Sequence, residues 1–213
     1  MSSRPMSLDP QLIPASPAEN EPATAAAPSL ETLALLARRR SVKAHELREP
    51  GPNANQLEAL LHLAARAPDH GKIGPWRFVV IEGEGRERAS AALAAIAERL
   101  PNMSPERLVF ERQKFSRAPV CVMVVSSPAP GARIPEWEQQ LSAAAVCYGL
   151  LLSAHAMGFA GSWITEWPAY NAEARAALGL AEGERVAGFV HLGSPPAEPA
   201  LERARAPVRV TRF

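Results

Sequence analysis

The stretch ARAPDHGKIGPWRF, residues 65–78, together with the shorter stretch RRSVK, residues 39–43, decides how this sequence is interpreted. Proline and glycine interrupt the longer stretch, so its cationic side chains stand on backbone that is neither regular helix nor regular strand. Phosphate groups bind to charged forks and hydroxyl groups, and ring systems bind to directed polar contacts. The two stretches therefore indicate a site for an anionic, planar ligand.

Length and composition restrict the class of protein. The chain has 213 residues, of which 47% are hydrophobic and 21% charged, which favours one globular domain. Its net charge of +1 argues against a nucleic-acid binder that relies on bulk electrostatics. Cys121 and Cys147 lie far apart on apolar segments, which predicts reduced, buried thiols in a cytoplasmic protein.

The sequence predicts neither a metal site nor a membrane-spanning segment. The histidines and cysteines show no metal-ligand spacing, so we expect no metal site. The apolar segment Leu141–Phe159 is shorter than a bilayer core requires and contains His155, so we interpret it as a buried helix. We therefore expect neither a membrane nor a nucleic acid as a partner.

The chain divides near residue 29. Residues 1–29 are rich in proline and alanine and lack a continuous apolar stretch, which predicts a disordered leader and no secretory signal. Ser29 is a suitable cap for a helix that follows it. Residues 30–213 are predicted to form the folded domain.

The pattern of apolar residues predicts interleaved helices and strands, which indicates an α/β or α+β sandwich. This pattern alone does not order the strands. The predicted helices are 30–39, 55–66, 87–100, 105–115, 137–158 and 171–178. The predicted strands are 77–82, 119–126, 161–164 and 185–192.

The two stretches together resemble the nitroreductase family of FMN enzymes. That family has a basic R-[RH]-S segment near its start and an Ala-Pro segment that ends in Pro-Trp-x-Phe. The variant with Asp-His after Ala-Pro is similar to the compact branch of enteric bacteria. The resemblance covers about Thr32–Phe213. It implies an α+β fold, with a mainly antiparallel sheet flanked by helices, and a homodimer in which the C-terminal extension is exchanged.

The resemblance also assigns residues to the cofactor. Arg39 and Ser41, with Arg40 between them, are implied to hold the FMN phosphate and ribityl chain. Lys43 is implied to lie near N1 and O2 of the ring, where a cation stabilises the charge gained on reduction. The alternative is that a basic helix end complements the helix dipole.

The longer stretch supplies two more implied contacts. Arg66 ends a predicted helix and His70 lies in the following loop, and both are implied to contact FMN from the other subunit. The alternative is that Asp69 forms a local turn and that His70 is a surface side chain.

A third segment, GFAGSWIT at residues 158–165, follows the long predicted helix. The resemblance places Trp163, Ile164 and Thr165 next to the flavin ring. Close relatives have an arginine at the position of Ile164, so the chain departs from the pattern there. The alternative is an ordinary turn from helix to strand. In the basic tail, Arg209 or Arg212 is a further candidate for the phosphate, and the alternative is that this tail is solvated.

The resemblance implies an FMN-dependent oxidoreductase that takes hydride from NADH or NADPH and reduces nitroaromatics, quinones or similar electron-poor acceptors in a ping-pong sequence. The flavin carries the chemistry, so no catalytic side chain is predicted. Two alternatives stay open. One is a specialised member of the family that fragments flavin or dehalogenates its substrate, and the other is a non-catalytic flavin-binding protein.

Overall fold

A computed structural model describes residues 8–22, 27–101, 103–198 and 201–213. Every helix and strand expected from the sequence is present, with bounds that differ by at most a few residues. The helices are α1 (Leu30–Arg38), α2 (Ala54–Ala64), α3 (Glu84–Ala97), α4 (Pro105–Arg112), α5 (Glu136–Ala156) and α6 (Ala172–Ala177). The strands are β1 (Trp76–Glu82), β2 (Val120–Ser126), β3 (Ala160–Ile164) and β4 (Arg185–Gly193).

The four strands form one sheet in the order β1-β2-β4-β3, and each neighbouring pair is antiparallel. This confirms the expected α+β fold with an antiparallel sheet. Helices cover both faces, so β2 is buried along its whole length. Its alternate residues face opposite sides, because strand side chains alternate. Val122 packs in the core beneath α2 and α5, whereas Met123 packs in the core beneath α3.

The long helix α5 crosses one face of the sheet and packs against α2. A Cβ atom on Gly149 would lie 3.5 Å from the backbone of Ala64, so the two helices approach closely at this point. The first and last turns of α5 contact different parts of the chain. This arrangement matters for the site, because each end contacts a different one of the stretches singled out above.

The described part of the leader contacts the domain at two points. The backbone amide of Leu8 donates to the carbonyl oxygen of Met157 over 3.2 Å, and the side chain of Gln56 donates to the carbonyl oxygen of Leu8. Ile13 packs against the core beneath α5. Residues 1–7 and 23–26 lie outside the described residues. The division of the chain at residue 29 stays a prediction.

The C-terminal residues 201–213 form no helix or strand in this single chain. Leu201 and Val208 are 86% and 89% exposed, so apolar side chains of this segment face solvent. Exchange of the segment in a dimer stays a prediction. Among the described helices, none has the length and apolar character needed to cross a bilayer.

Candidate functional site

The basic stretch at residues 39–43 runs beside β3. The amide of Val42 donates to the carbonyl oxygen of Gly161 over 3.0 Å, and Val42 is buried. Ser41 and Lys43 are exposed on either side of it. Alternate residues of extended backbone point to opposite sides, so both polar side chains face away from the core.

Ser41 and Lys43 share a cavity of about 380 Å³ with Trp163 and Ile164. This volume lies within the range of small-ligand pockets, about 300–1,000 Å³. The structure thereby joins two groups that the sequence analysis proposed separately. The remaining residues of the cavity wall are Val42, Ala44, His45, Phe110, Arg117, Ser162 and Arg203.

The chemistry of this cavity wall is cationic and aromatic. Lys43, Arg117 and Arg203 supply positive charge, and Phe110 and Trp163 supply rings. Within the described residues, no carboxylate lines the cavity. Such a wall suits a planar ligand that carries negative charge.

Arg39 and Arg40 line a second cavity, of about 600 Å³, so the structure places Arg39 and Ser41 on the walls of different cavities, both of which Val42 also lines. The Arg39 guanidinium lies 6.0 Å from the centre of the Tyr148 ring on α5. The Nη1 atom of Arg40 is buried and has no hydrogen-bond partner among the residues described. A buried guanidinium nitrogen without a partner is costly, and an anionic ligand would satisfy it.

Thr165 follows β3 and lies outside the walls of both cavities. Its hydroxyl oxygen accepts a hydrogen bond from Tyr170 over 3.2 Å. Of the three residues proposed on this segment, the structure brings Trp163 and Ile164 to the cavity but not Thr165.

Arg66 and His70 lie elsewhere in this chain. Arg66 is exposed at the end of α2, and Nδ1 of His70 lies 2.7 Å from the carboxylate of Glu138 at the start of α5. Asp69 accepts a hydrogen bond from the amide of Gly74, which holds the loop together. Neither Arg66 nor His70 lines a cavity that contains Ser41 or Arg39.

The length of α5 measures the separation between the two stretches. Glu138 in its first turn contacts His70, and His155 in its last turn contacts the carbonyl oxygen of Arg40. These two helix positions are about 25 Å apart, because an α-helix rises about 1.5 Å per residue. One chain therefore does not bring both stretches to one cavity.

A buried ionic network supports the cavity from below. The ammonium group of Lys114 lies 2.8 Å from the Glu111 carboxylate and 3.0 Å from that of Glu166. Arg117 bonds to Glu166 over 3.0 Å, and its guanidinium lies 4.4 Å from the centre of the Phe110 ring. The network therefore holds Phe110 and Arg117 in fixed positions on the cavity wall.

Glu166 is the centre of this network. Burial raises its pKa, but the charges of Lys114 and Arg117 together outweigh burial and leave the pKa below its usual value. Its φ of 56° lies in the left-handed region, which a non-glycine residue adopts at an energetic cost. The ion pairs offset that cost and fix the turn that follows Ile164.

Several residues of the two cavities were not among the sequence candidates. Phe110 and Arg117 stand on a helix and a turn that no motif marks. Arg203 lines the cavity that contains Ser41 and Lys43, whereas the tail candidates Arg209 and Arg212 do not. His155 did carry a signal, because it is the one histidine in the apolar segment Leu141–Phe159.

Both cysteines are free and buried, as expected. Burial raises the pKa of the Cys147 thiol to about 12 and also raises the pKa of the Cys121 thiol well above its usual value, so both are inert near neutral pH. The described part of the chain contains no group of three or more histidine, cysteine or acidic side chains that could hold a metal.

A family model described as the nitroreductase family matches residues 36–194. The chain belongs to the nitroreductase family. The Escherichia coli K12 protein named "Putative NAD(P)H nitroreductase YdjA" is 39% identical over 172 residues, which are 78% of this chain and 89% of that protein. The family resemblance predicted from residues 39–43 and 65–78 is thereby confirmed.

Solved structures agree with the nitroreductase fold. The nitroreductase-like family protein from Bacillus cereus superposes with a TM-score of 0.73 at 24% identity, covering 87% of this chain and 95% of that one. A nitroreductase with bound FMN from Bacteroides fragilis superposes with a TM-score of 0.65 at 22% identity, covering 86% and 100%. These likenesses support the fold that the nitroreductase family implies.

Proposed function

We propose that this nitroreductase-family chain is an FMN-dependent NAD(P)H oxidoreductase that reduces nitroaromatics, quinones or similar electron-poor acceptors. The observation that carries the proposal is the cavity shared by Ser41, Lys43, Trp163 and Ile164. The name of the Escherichia coli relative points to NAD(P)H, and the FMN bound in the Bacteroides fragilis structure points to the cofactor.

The residues present fit FMN. The cavity offers cations, aromatic rings and a serine hydroxyl, and the Ser162 hydroxyl on its wall is buried with no hydrogen-bond partner in the described ranges. Arg40, on the wall of the neighbouring cavity of about 600 Å³, adds a second buried donor without such a partner. When bound, FMN supplies a ring that accepts hydride from NAD(P)H and passes it to the acceptor, which makes the sequence ping-pong.

We assign separate tasks to the residues of the stretch 39–43. Arg39 and Ser41 hold the phosphate and ribityl chain, with Arg40 between them. Lys43, whose ammonium group lies 3.5 Å from the Glu46 carboxylate, supplies a cation beside N1 and O2 of the ring. Trp163, Ile164 and Thr165 form the segment beside the ring. No side chain is assigned the role of a catalytic acid or base.

We propose a homodimer, in which Arg66 and His70 of one subunit meet the stretch 39–43 of the other. The two stretches of one chain contact opposite ends of α5, about 25 Å apart. Only a second copy of the chain would then supply Arg66 and His70 next to the stretch 39–43, and this supports the dimer. The interface would be symmetric, so two equal sites would form.

The outward face of α5 supports the same assembly. Trp137, Leu141 and Tyr148 are 66%, 48% and 42% exposed and lie along one side of this helix. Large exposed apolar patches indicate an interaction surface. The exposed apolar residues of the C-terminal segment are suited to lie across a second copy of this chain.

The free thiols are consistent with the cytoplasm, the location we propose.

Anaerobic reduction tests the proposal. Purified protein loaded with FMN should be yellow, and NADH or NADPH should bleach it when oxygen is absent. Each candidate acceptor, from a nitroaromatic to a quinone, is then added to the reduced protein, and the return of colour identifies the substrates. Yellow protein that neither nucleotide bleaches would indicate a non-catalytic flavin-binding protein. Reoxidation by a halogenated aromatic with release of halide would indicate a specialised enzyme.

A further inference from the structure

A third cavity, of about 500 Å³, shares no wall residue with the two cavities beside the stretch 39–43. Its volume falls within the range of small-ligand pockets, about 300–1,000 Å³. The wall is formed by the loop from β2 to α5, the first turn of α5, Arg175 of α6 and the residues at the start of β4. It therefore belongs to a part of the molecule to which no function has been assigned above.

The loop of this cavity is held in place by Gln139. The side-chain oxygen of Gln139 accepts a hydrogen bond from the amide of Ala129 over 2.9 Å, and its side-chain nitrogen donates to the carbonyl oxygen of Ile134 over 2.9 Å. Gln139 is buried, so water competes little for either bond. The loop is fixed near both of its ends, and the cavity is preformed.

Two arginines on the wall lack anionic partners. The Nε atom of Arg175 is buried and has no hydrogen-bond partner within the described ranges. Neither Arg175 nor Arg185 forms an ion pair with another residue that the structure describes. A buried donor in this state favours a ligand that brings acceptor oxygens.

The carboxylates near the wall do not cancel this charge. Glu184 lines the cavity, but Arg77 binds both of its oxygens and neutralises it. Glu136 on the wall and Glu182 beside it are exposed, so solvent and salt screen them. Arg133, exposed on the loop, is a third unpaired cation. Three arginines against these two carboxylates leave a net positive charge, which favours an anion.

The cavity adjoins the loop that carries His70. A Cβ atom on Gly71 would lie 3.4 Å from the side chain of Ile134, which is part of the cavity wall. Glu138, which contacts His70, directly precedes Gln139 on α5. In the proposed dimer, His70 lies at the FMN site of the other subunit. The cavity would then lie beside that same site.

We propose that this cavity binds the diphosphate of NAD(P)H, with Arg175 as the main contact and Arg185 as a second one. The inference rests on the proposed function, in which NAD(P)H delivers hydride to FMN. The diphosphate of NADH and NADPH is anionic and is separated by a ribose from the nicotinamide ring that reacts. It therefore binds beside the flavin rather than over it, and a planar guanidinium matches two of its oxygen atoms.

Anaerobic reduction of the FMN-loaded full chain measures this contact. The rate of bleaching at increasing NADH or NADPH concentration gives the dissociation constant of the nucleotide and the limiting rate of hydride transfer. We expect R175Q to bind both nucleotides about tenfold more weakly at an unchanged limiting rate, because the diphosphate does not react. R175K, which keeps the charge, should recover part of the affinity. R88Q, which changes an exposed arginine on α3, should equal wild type.

A reductant without phosphate separates the diphosphate contact from other effects of the substitution. N-benzyl-1,4-dihydronicotinamide donates hydride from the same kind of ring but carries no phosphate. It should reduce the flavin of R175Q as fast as that of wild type. An equal loss with NADPH and with this compound, or no loss with either nucleotide, would overturn the inference while leaving the proposed function intact. Failure of all three reductants to bleach wild type would overturn the proposed function instead.

A binding measurement tests the cavity without hydride transfer. Inorganic pyrophosphate is titrated by calorimetry into FMN-loaded wild type and R175Q, in which the FMN phosphate already fills its own site. We expect R175Q to bind pyrophosphate about tenfold more weakly, and we expect NADPH to displace pyrophosphate from wild type. Equal binding of pyrophosphate to the two proteins, or binding that NADPH does not displace, would overturn the assignment of this cavity to the nucleotide.

Discussion

Arg77 and Glu184 form a two-pronged ion pair that spans the strand between them. Nε of Arg77 lies 2.7 Å from one carboxylate oxygen of Glu184, and Nη2 lies 2.6 Å from the other. Arg77 stands on β1 and Glu184 directly precedes β4, so the pair crosses β2. The Arg77 guanidinium also donates to the Gly179 carbonyl oxygen. Arg77 therefore fixes the turn that leads into β4.

The first prediction concerns the pH dependence of stability. The hydrogen bonds from Arg77 hold the pKa of Glu184 at about 2, below its usual value. The pair therefore contributes its full stability above the unfolded pKa of about 4.3 and loses it as the pH falls toward 2. We expect E184Q to lower the free energy of unfolding by about 1–2 kcal/mol at pH 7. The expected loss is no larger because Arg77 is partly exposed and solvent screens the pair. The deficit should narrow between pH 5 and pH 3 in urea titrations.

E84Q is the matched control. Glu84 lies 3.5 Å from Arg88 in a pair whose two side chains are largely exposed, so its loss should change stability by about 1 kcal/mol or less, including its interaction with the N-terminus of α3. A deficit for E184Q that is the same at pH 7 and pH 3 would contradict the assigned role of the carboxylate charge.

The second prediction concerns the buried network below the cavity. K114M leaves the carboxylates of Glu111 and Glu166 without their shared cation, and unpaired buried charge is destabilising by about 3–5 kcal/mol. The loss should be greatest at neutral pH and shrink at acidic pH, because Lys114 helps to hold the pKa of Glu166 below its usual value. Urea unfolding at several pH values measures this.

The double variant E111L/K114M tests the physical reason. Replacing an ion pair by apolar side chains is often nearly neutral, so this variant should recover part of the stability that K114M loses. If E111L/K114M is no more stable than K114M, unpaired charge on Glu111 is not the cause of the loss.

The third prediction concerns Gly188, which faces a residue of the cavity wall. A Cβ atom on Gly188 would overlap the indole of Trp163, whose Nε1 atom donates to the Ala187 carbonyl oxygen over 3.1 Å. Trp163 is 37% exposed and has room to move, so G188A should displace the indole and keep the fold. We expect a stability loss of about 1–3 kcal/mol, typical of overpacking. Trp163 fluorescence should shift, and FMN should bind several-fold more weakly.

G85A is the matched control, because a Cβ atom on Gly85 meets only the flexible end of Arg88. It should leave FMN affinity unchanged. If G188A weakens FMN binding and W163F does not, displaced backbone rather than the indole accounts for the loss.

The fourth prediction tests the phosphate assignment. Charge-assisted hydrogen bonds contribute about 1.5–3 kcal/mol each, so R39A/S41A should weaken FMN binding by at least a hundredfold. Flavin fluorescence titrations measure the affinity, and R88A, which removes an exposed arginine on α3, serves as the control. The assignment is wrong if R39A/S41A binds FMN as tightly as R88A does.

The sequence predicted the elements of the fold because each has a local signal. The unbroken apolar run of β2 indicates a strand buried on both faces, and Ser29 does cap α1 through its side chain. The order of the strands has no such local signal, because it depends on which strand edges pair with one another. The ion pair of Arg77 with Glu184 could therefore not be predicted, because it exists only where β2 lies between β1 and β4.

The site was predicted in parts that the sequence alone could not join. Motifs identified Ser41, Lys43 and Trp163, but the bond that brings them together runs between the backbones of Val42 and Gly161. Backbone bonds leave no mark on residue type. No motif marks Arg117 either. Its place on the cavity wall depends on the network around Glu166, which residue type alone does not predict.

The last prediction tests the dimer on which the shared site depends. Leu141 is 48% exposed in the middle of the apolar face of α5, so L141R would place an unpaired charge at the centre of the proposed interface. Such a charge costs several kcal/mol, so we expect a folded monomer that binds FMN at least about a hundredfold more weakly. Light scattering after gel filtration gives the mass, and V109R, at a 55% exposed position on α4, should stay a dimer. An L141R monomer that holds FMN as tightly as wild type would show that Arg66 and His70 of a second copy are not needed.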